Sequence, residues 1–147
     1  MWRRTAAIAA LSLCAFAVDA NNSKITISKS GSTNTIGFEV TLDGGENATI
    51  RPQSQPARPL KLKSSAVTAF TKAIEAAGPL HALRANHCMK SASFGTSLFV
   101  SRGDDRSPDL NCADQADPQA AAIKKQAEEI LQAAQKASGV QTMRRVY

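Results

Sequence analysis

From Ile36 to Asp43 apolar and polar residues alternate without a break, with Ile36, Phe38, Val40 and Leu42 set against Gly37, Glu39, Thr41 and Asp43. A period of two gives a strand one dry face and one wet face, so this stretch predicts an antiparallel strand with a single buried side. Ile25 and Ile27 alternate with Thr26 and Ser28 in the same way until Gly31-Ser32 breaks the run. Asp43-Gly44-Gly45 supplies residues that tolerate positive φ, a hairpin signal leading into a third short strand around Ala48 to Arg51. Residues 53–59 follow Pro52 and contain Pro56 and Pro59. Such a stretch cannot donate a full ladder of hydrogen bonds and reads as an exposed extended loop. Leu60 and Leu62, between Lys61 and Lys63, predict a short edge strand whose lysines discourage further pairing.

The period then changes. Over residues 65–77, Val67, Phe70, Ile74 and Ala77 recur at spacings of three and four, behind capping candidates Ser64 and Ser65, and Gly78-Pro79 ends the run. A second helix is expected behind Asp117 as N-cap and Pro118 in its first turn. Ile123, Ala127, Ile130, Leu131 and Ala134 lie on one side of it, and Gly139 is the stop. Between the helices, residues 93–102 carry Phe94, Leu98, Phe99 and Val100 and predict a further strand. The expected fold is α+β in two layers: an antiparallel β-sheet packed against two amphipathic helices and closed by one disulfide.

At 147 residues the chain is expected to form one small domain over residues 21–147, with a short flexible tail from about residue 139. Aromatic residues make up only 5%, so each buried one carries more of the core than usual.

The first twenty residues predict a compartment. Trp2, Arg3 and Arg4 form a basic start, residues 6–18 are uncharged and too short to span a bilayer, and Val18-Asp19-Ala20 offers a signal-peptidase site. Residues 1–20 therefore read as a signal peptide and the protein as exported, periplasmic or extracellular, with no transmembrane segment in the mature chain. Leu11-Ser12-Leu13-Cys14 resembles a lipoprotein box but has bulky Leu13 where a small residue is expected. With Cys14 removed, Cys88 and Cys112 remain as an even pair in an oxidising compartment and read as a disulfide.

The net charge of +6 is spread unevenly. Arg51, Arg58, Lys61 and Lys63 share a window with no acid, whereas Asp104, Asp105, Asp109, Asp114 and Asp117 face only Arg106. The basic window is a candidate surface for an anionic envelope component, and the acidic segment argues against a nucleic-acid partner. The second candidate surface lies in the Cys88 to Cys112 loop, where Ser91, Ser93, Thr96 and Ser97 surround Phe94-Gly95.

Common catalytic machinery is missing from the sequence. There is no Gly-x-Ser-x-Gly elbow, phosphate-cradling glycine loop, His-Glu-x-x-His or Ser-x-x-Lys. His81 and His87, six apart, fall on different faces of any helix, and the oxygen-rich stretch 104–111 lacks the Gly and terminal Glu of a calcium loop. No catalytic residue, metal site or cofactor is assigned. Arg102-Gly103-Asp104 reads as a turn with Gly103 at positive φ, and Asn21-Asn22-Ser23 and Asn47-Ala48-Thr49 match the glycosylation sequon. The expected role is a non-enzymatic binding or interaction protein that recognises an unidentified protein or an anionic envelope component. The alternatives are an extracellular enzyme or inhibitor working through the disulfide-bounded loop, and an anion binder using residues 51–63.

Overall fold

The computed structural model describes residues 24–141. The proposed leader with Cys14, the sequon at Asn21 and most of the predicted tail lie outside them. Six strands form one antiparallel sheet: β1 (Ile25–Lys29), β2 (Phe38–Leu42), β3 (Asn47–Pro52), β4 (Arg58–Lys61), β5 (Leu98–Arg102) and β6 (Asp105–Arg106). Two helices, α1 (Ser64–Ala77) and α2 (Pro118–Ser138), cover one face and pack on each other. The strand order is β4-β3-β2-β1-β5-β6. The chain thus runs as a four-strand meander outward from β1. It then crosses through α1 and returns to pair β5 on the other side of β1. The expected α+β architecture is the one observed.

The alternation fixes which face is dry. Ile25, Ile27, Phe38, Val40, Leu42, Ala48, Ile50, Leu98 and Val100 are buried against Val67, Phe70 and Ile74 of α1 and Ile123, Ala127, Ile130 and Leu131 of α2. Phe70 is wholly buried at the centre of this cluster. Gly44 and Gly45 both take positive φ in the β2–β3 hairpin, as the turn requires. Gly103 likewise takes positive φ in the two-residue turn that joins β5 and β6, so Arg102-Gly103-Asp104 is a hairpin tip.

Four local expectations shift. β2 starts at Phe38 and not Ile36, because Gly31 and Gly37 bring two backbone segments so close that a Cβ on Gly37 would lie 2.5 Å from the Gly31 nitrogen. β4 starts at Arg58 and includes Pro59, which an edge strand tolerates because one row of its backbone groups faces away from the sheet. Residues 93–97 are not strand. Residues 92–94 form a turn, and Gly95 packs on the Ser91 carbonyl where a Cβ would lie 2.3 Å from the oxygen, leaving Phe94 59% exposed. Ser64 and Ser65 are inside α1, whose N-cap position is Lys63 with no side-chain cap. Asp117 does cap α2, accepting from Gln119 N–H and Ala120 N–H, and Gly139 ends it in the left-handed conformation.

The β5 edge is closed by side chains where β6 is too short to reach. Asp109 Oδ1 accepts Leu98 N–H at 3.0 Å and Ser107 Oγ accepts Val100 N–H at 3.0 Å. These bonds replace a strand and leave no open ladder for another chain there.

Candidate functional site

The sheet face away from the helices is uncovered and polar. The strand registers place Thr49, Thr41, Thr26, Ser101 and Arg106 in one row across five strands. The hydroxyls of Thr26 and Thr41 meet at 3.5 Å. The next row on the same face is Arg51, Glu39, Ser28 and Phe99. Arg51 Nη2 lies 3.1 Å from Glu39 Oε2, and the Arg106 guanidinium stacks over the Phe99 ring at 4.1 Å from its centroid.

At the Arg51 end of that row a cleft of about 660 Å³ opens between the β1–β2 loop and the β3–β4 loop. Ser28, Glu39 and Arg51 line its sheet side, and Gly31, Ser32, Gln53, Ser54 and Gln55 line its loop side. The close contact of Gly31 with Gly37 shapes one wall, and Ser54 holds a positive φ of 64° on the other. The Gln53 N–H donates to Gly37 C=O at 2.8 Å and ties the two walls together. The cleft therefore offers a guanidinium, a carboxylate, hydroxyls and amides within one frame.

The two candidate surfaces from the sequence fall in different places. Of the basic window, Arg51 joins the cleft wall and is paired with Glu39, and Arg58 donates to Gln55 Oε1 at 3.1 Å. Lys61 is in register with Asn47, four residues along β3 from Arg51, about 13 Å at the usual rise per residue. Lys63 precedes α1. The window is thus spread along an edge and not gathered into one patch.

In the disulfide-bounded loop three of the four candidate hydroxyls, those of Ser91, Thr96 and Ser97, are engaged by groups of the same loop. Ser97 Oγ accepts from Lys90 Nζ at 2.7 Å, Thr96 Oγ1 accepts from Asn111 Nδ2 at 3.3 Å, and Ser91 Oγ accepts from Ser93 N–H at 3.3 Å. The Ser93 carbonyl accepts the Ser32 hydroxyl at 2.7 Å, which docks this loop onto the cleft's β1–β2 wall. Cys88 and Cys112 form the disulfide, with their Cα atoms 5.5 Å apart.

Three aspartates of the acidic segment accept backbone N–H groups. Burial alone raises the pKa of Asp105, but the N–H groups of Leu80 and His81 and the His81 ring outweigh it and hold the carboxyl below its ordinary 3.8. Asp109 follows the same balance: burial raises it, while Lys90 and the N–H groups of Leu98 and Asn111 bring it below 3.8. Asp117 is lowered chiefly by the Arg84 N–H, then by Ala120 N–H. The Asp117 cap was legible in the sequence, but the bonds from Leu80 and His81 to Asp105, from Leu98 to Asp109 and from Arg84 to Asp117 were not, because those donors come from distant residues. Ser28 and Glu39 were equally hidden, since alternation shows that they share a wet face but not which strand lies beside which.

His81 Nδ1 meets Asp105 Oδ1 at 2.7 Å, yet no serine or cysteine among the described residues is hydrogen-bonded to either histidine. Among the described residues no three His, Cys, Asp or Glu side chains converge as metal ligands. No described helix is long and apolar enough to cross a membrane. No protein-family model matches the chain, and neither does any curated protein or solved structure.

Proposed function

We propose that this chain is an exported, non-enzymatic binding protein whose ligand is a small zwitterionic solute, an amino acid or short peptide, held in the cleft. The leader-like first twenty residues and the Cys88–Cys112 disulfide support export to the periplasm or beyond. The observation that carries the binding role is the Arg51–Glu39 pair, half exposed on the wall of the cleft. A guanidinium donates to a ligand carboxylate while the carboxylate beside it accepts from the ligand ammonium, and the surrounding hydroxyls and amides complete the ligand's hydrogen bonds.

The test is a thermal-shift screen of the disulfide-intact protein against free amino acids, dipeptides and, as a contrasting class, neutral disaccharides. A ligand present at a hundred times its dissociation constant stabilises the fold by about 2.7 kcal/mol. At least one zwitterionic probe is expected to raise the melting temperature in wild type and not in Arg51→Ala. Shifts from disaccharides alone, or identical shifts in Arg51→Ala, overturn the reading.

A further inference from the structure

The disulfide-bounded loop carries the two large apolar side chains that are exposed among the described residues: Met89 at 96% and Phe94 at 59%. Met89 sits between two pinned neighbours. Cys88 is bonded to Cys112, and Lys90 Nζ is held by Asp109 and by Ser97 Oγ. Just upstream, Asn86 N–H donates to Cys112 C=O at 2.7 Å. The backbone N–H and C=O groups of His87, Cys88, Met89 and Lys90 make no hydrogen bond among the described residues, and none of these four residues lies in a helix, strand or turn.

A segment that is braced on both sides, unpaired along its backbone and tipped by one outward apolar side chain matches what a peptide-cleaving enzyme grips. Such an enzyme pairs an extended segment through main-chain hydrogen bonds and seats one side chain in a specificity pocket. Bracing before contact removes most of the ordering cost of binding, which turns a substrate-like segment into a tight, slowly released one. We infer that residues 87–90 form a docking loop for a serine endopeptidase with an apolar specificity pocket, and that Met89 is the side chain that enters it. Lys90 does not serve, because its ammonium is engaged by Asp109. The loop works apart from the cleft, so this inference goes beyond the solute-binding reading and fails or stands independently of it.

The protein with its disulfide intact is titrated against chymotrypsin, subtilisin and trypsin. Inhibition of chymotrypsin or subtilisin, and none of trypsin, is expected. Met89→Asp is expected to weaken that inhibition by about 30-fold or more, the scale of a lost interface anchor. Met89→Lys is expected to transfer inhibition to trypsin, whose pocket carries an aspartate. Met89 is almost fully exposed, so both variants keep the wild-type melting temperature, and Lys125→Gln on the exposed side of α2 serves as a neutral control. Reducing the disulfide is expected to abolish inhibition. No inhibition of either apolar-pocket enzyme overturns the inference, as does rapid cleavage after Met89 in the manner of an ordinary substrate. Binding of wild type to phospholipid vesicles through Met89 and Phe94 without protease inhibition also overturns it, by assigning the two side chains to a membrane surface.

Discussion

The meander from Ile25 to Lys61 and the segment from Pro79 to Asp117 serve the same core by opposite means. In the meander, alternation alone sorts side chains, hairpins join neighbouring strands, and backbone groups pair in ladders. In the later segment only seven residues are strand, and the chain is held by the disulfide and by carboxylates that accept several N–H groups each. A ladder distributes its stabilisation over many equivalent bonds. A carboxylate concentrates it on one side chain, so the two regions are expected to answer differently to mutation, reduction and acid.

The largest effect is expected where both regions lean on the helices. Phe70 is wholly buried, and Phe70→Ala is expected to cost about 3 to 5 kcal/mol through lost burial and the cavity left behind. Denaturant unfolding measures it, and a loss near that of a surface change, below about 0.5 kcal/mol, breaks the shared-core picture.

Next comes the crosslink. The paired Cys88→Ser and Cys112→Ser variant closes no loop across their separation of 24 residues. The chain-entropy relation gives about 3.5 kcal/mol for that loss. Hydrogen exchange on the variant is expected to show faster opening at residues 84–97 than in β1 to β3, whereas uniform acceleration removes the contrast between the regions.

A smaller loss, about 2 to 3 kcal/mol, is expected for Asp109→Ala, which leaves the N–H groups of Leu98 and Asn111 and the Lys90 ammonium without their acceptor. The same chemistry sets the acid response. Asp105, Asp109 and Asp117 all have folded pKa values below the ordinary 3.8, so the unfolded chain binds more protons on acidification. Their contribution is complete above the unfolded value and is lost as pH falls through the lower folded values. Stability is expected to hold from neutral pH to about 5 and to drop below about 4, less steeply in Asp109→Ala. A profile unchanged by that substitution overturns the carboxylate account.

The smallest effect is expected at the edge. Replacing Arg58, Lys61 and Lys63 together by Gln is expected to change stability by less than about 0.5 kcal/mol, because none of them fills a core position. Retention on heparin at low salt separates a surface charge effect from a built anion site: a dispersed edge loses retention gradually with each substitution. An abrupt loss with any single one shows a site that the spread of these residues does not account for.

The sequence by itself determined the elements whose rules are local. A period of two at Phe38, Val40 and Leu42 and a period near 3.6 at Val67, Phe70 and Ile74 dictate which side is buried. Positive-φ glycines at Gly44, Gly45, Gly103 and Gly139, and the Asp117 cap, mark where elements turn or stop. The lone cysteine pair left by the proposed leader dictated the crosslink. Tertiary structure alone decided what depends on distant partners. It placed β1 between β2 and β5, which sets Ser28 beside Glu39 and Phe99 and brings Arg51 into their row. It drew Gly31 and Gly37 together, which started β2 two residues later than the alternating pattern and shaped the cleft. It also turned an acidic run into acceptors for Leu80, Leu98 and Arg84 and left Met89 outside. Spacing along a chain states which side a residue faces, but only closure of the sheet and the loops states what it faces.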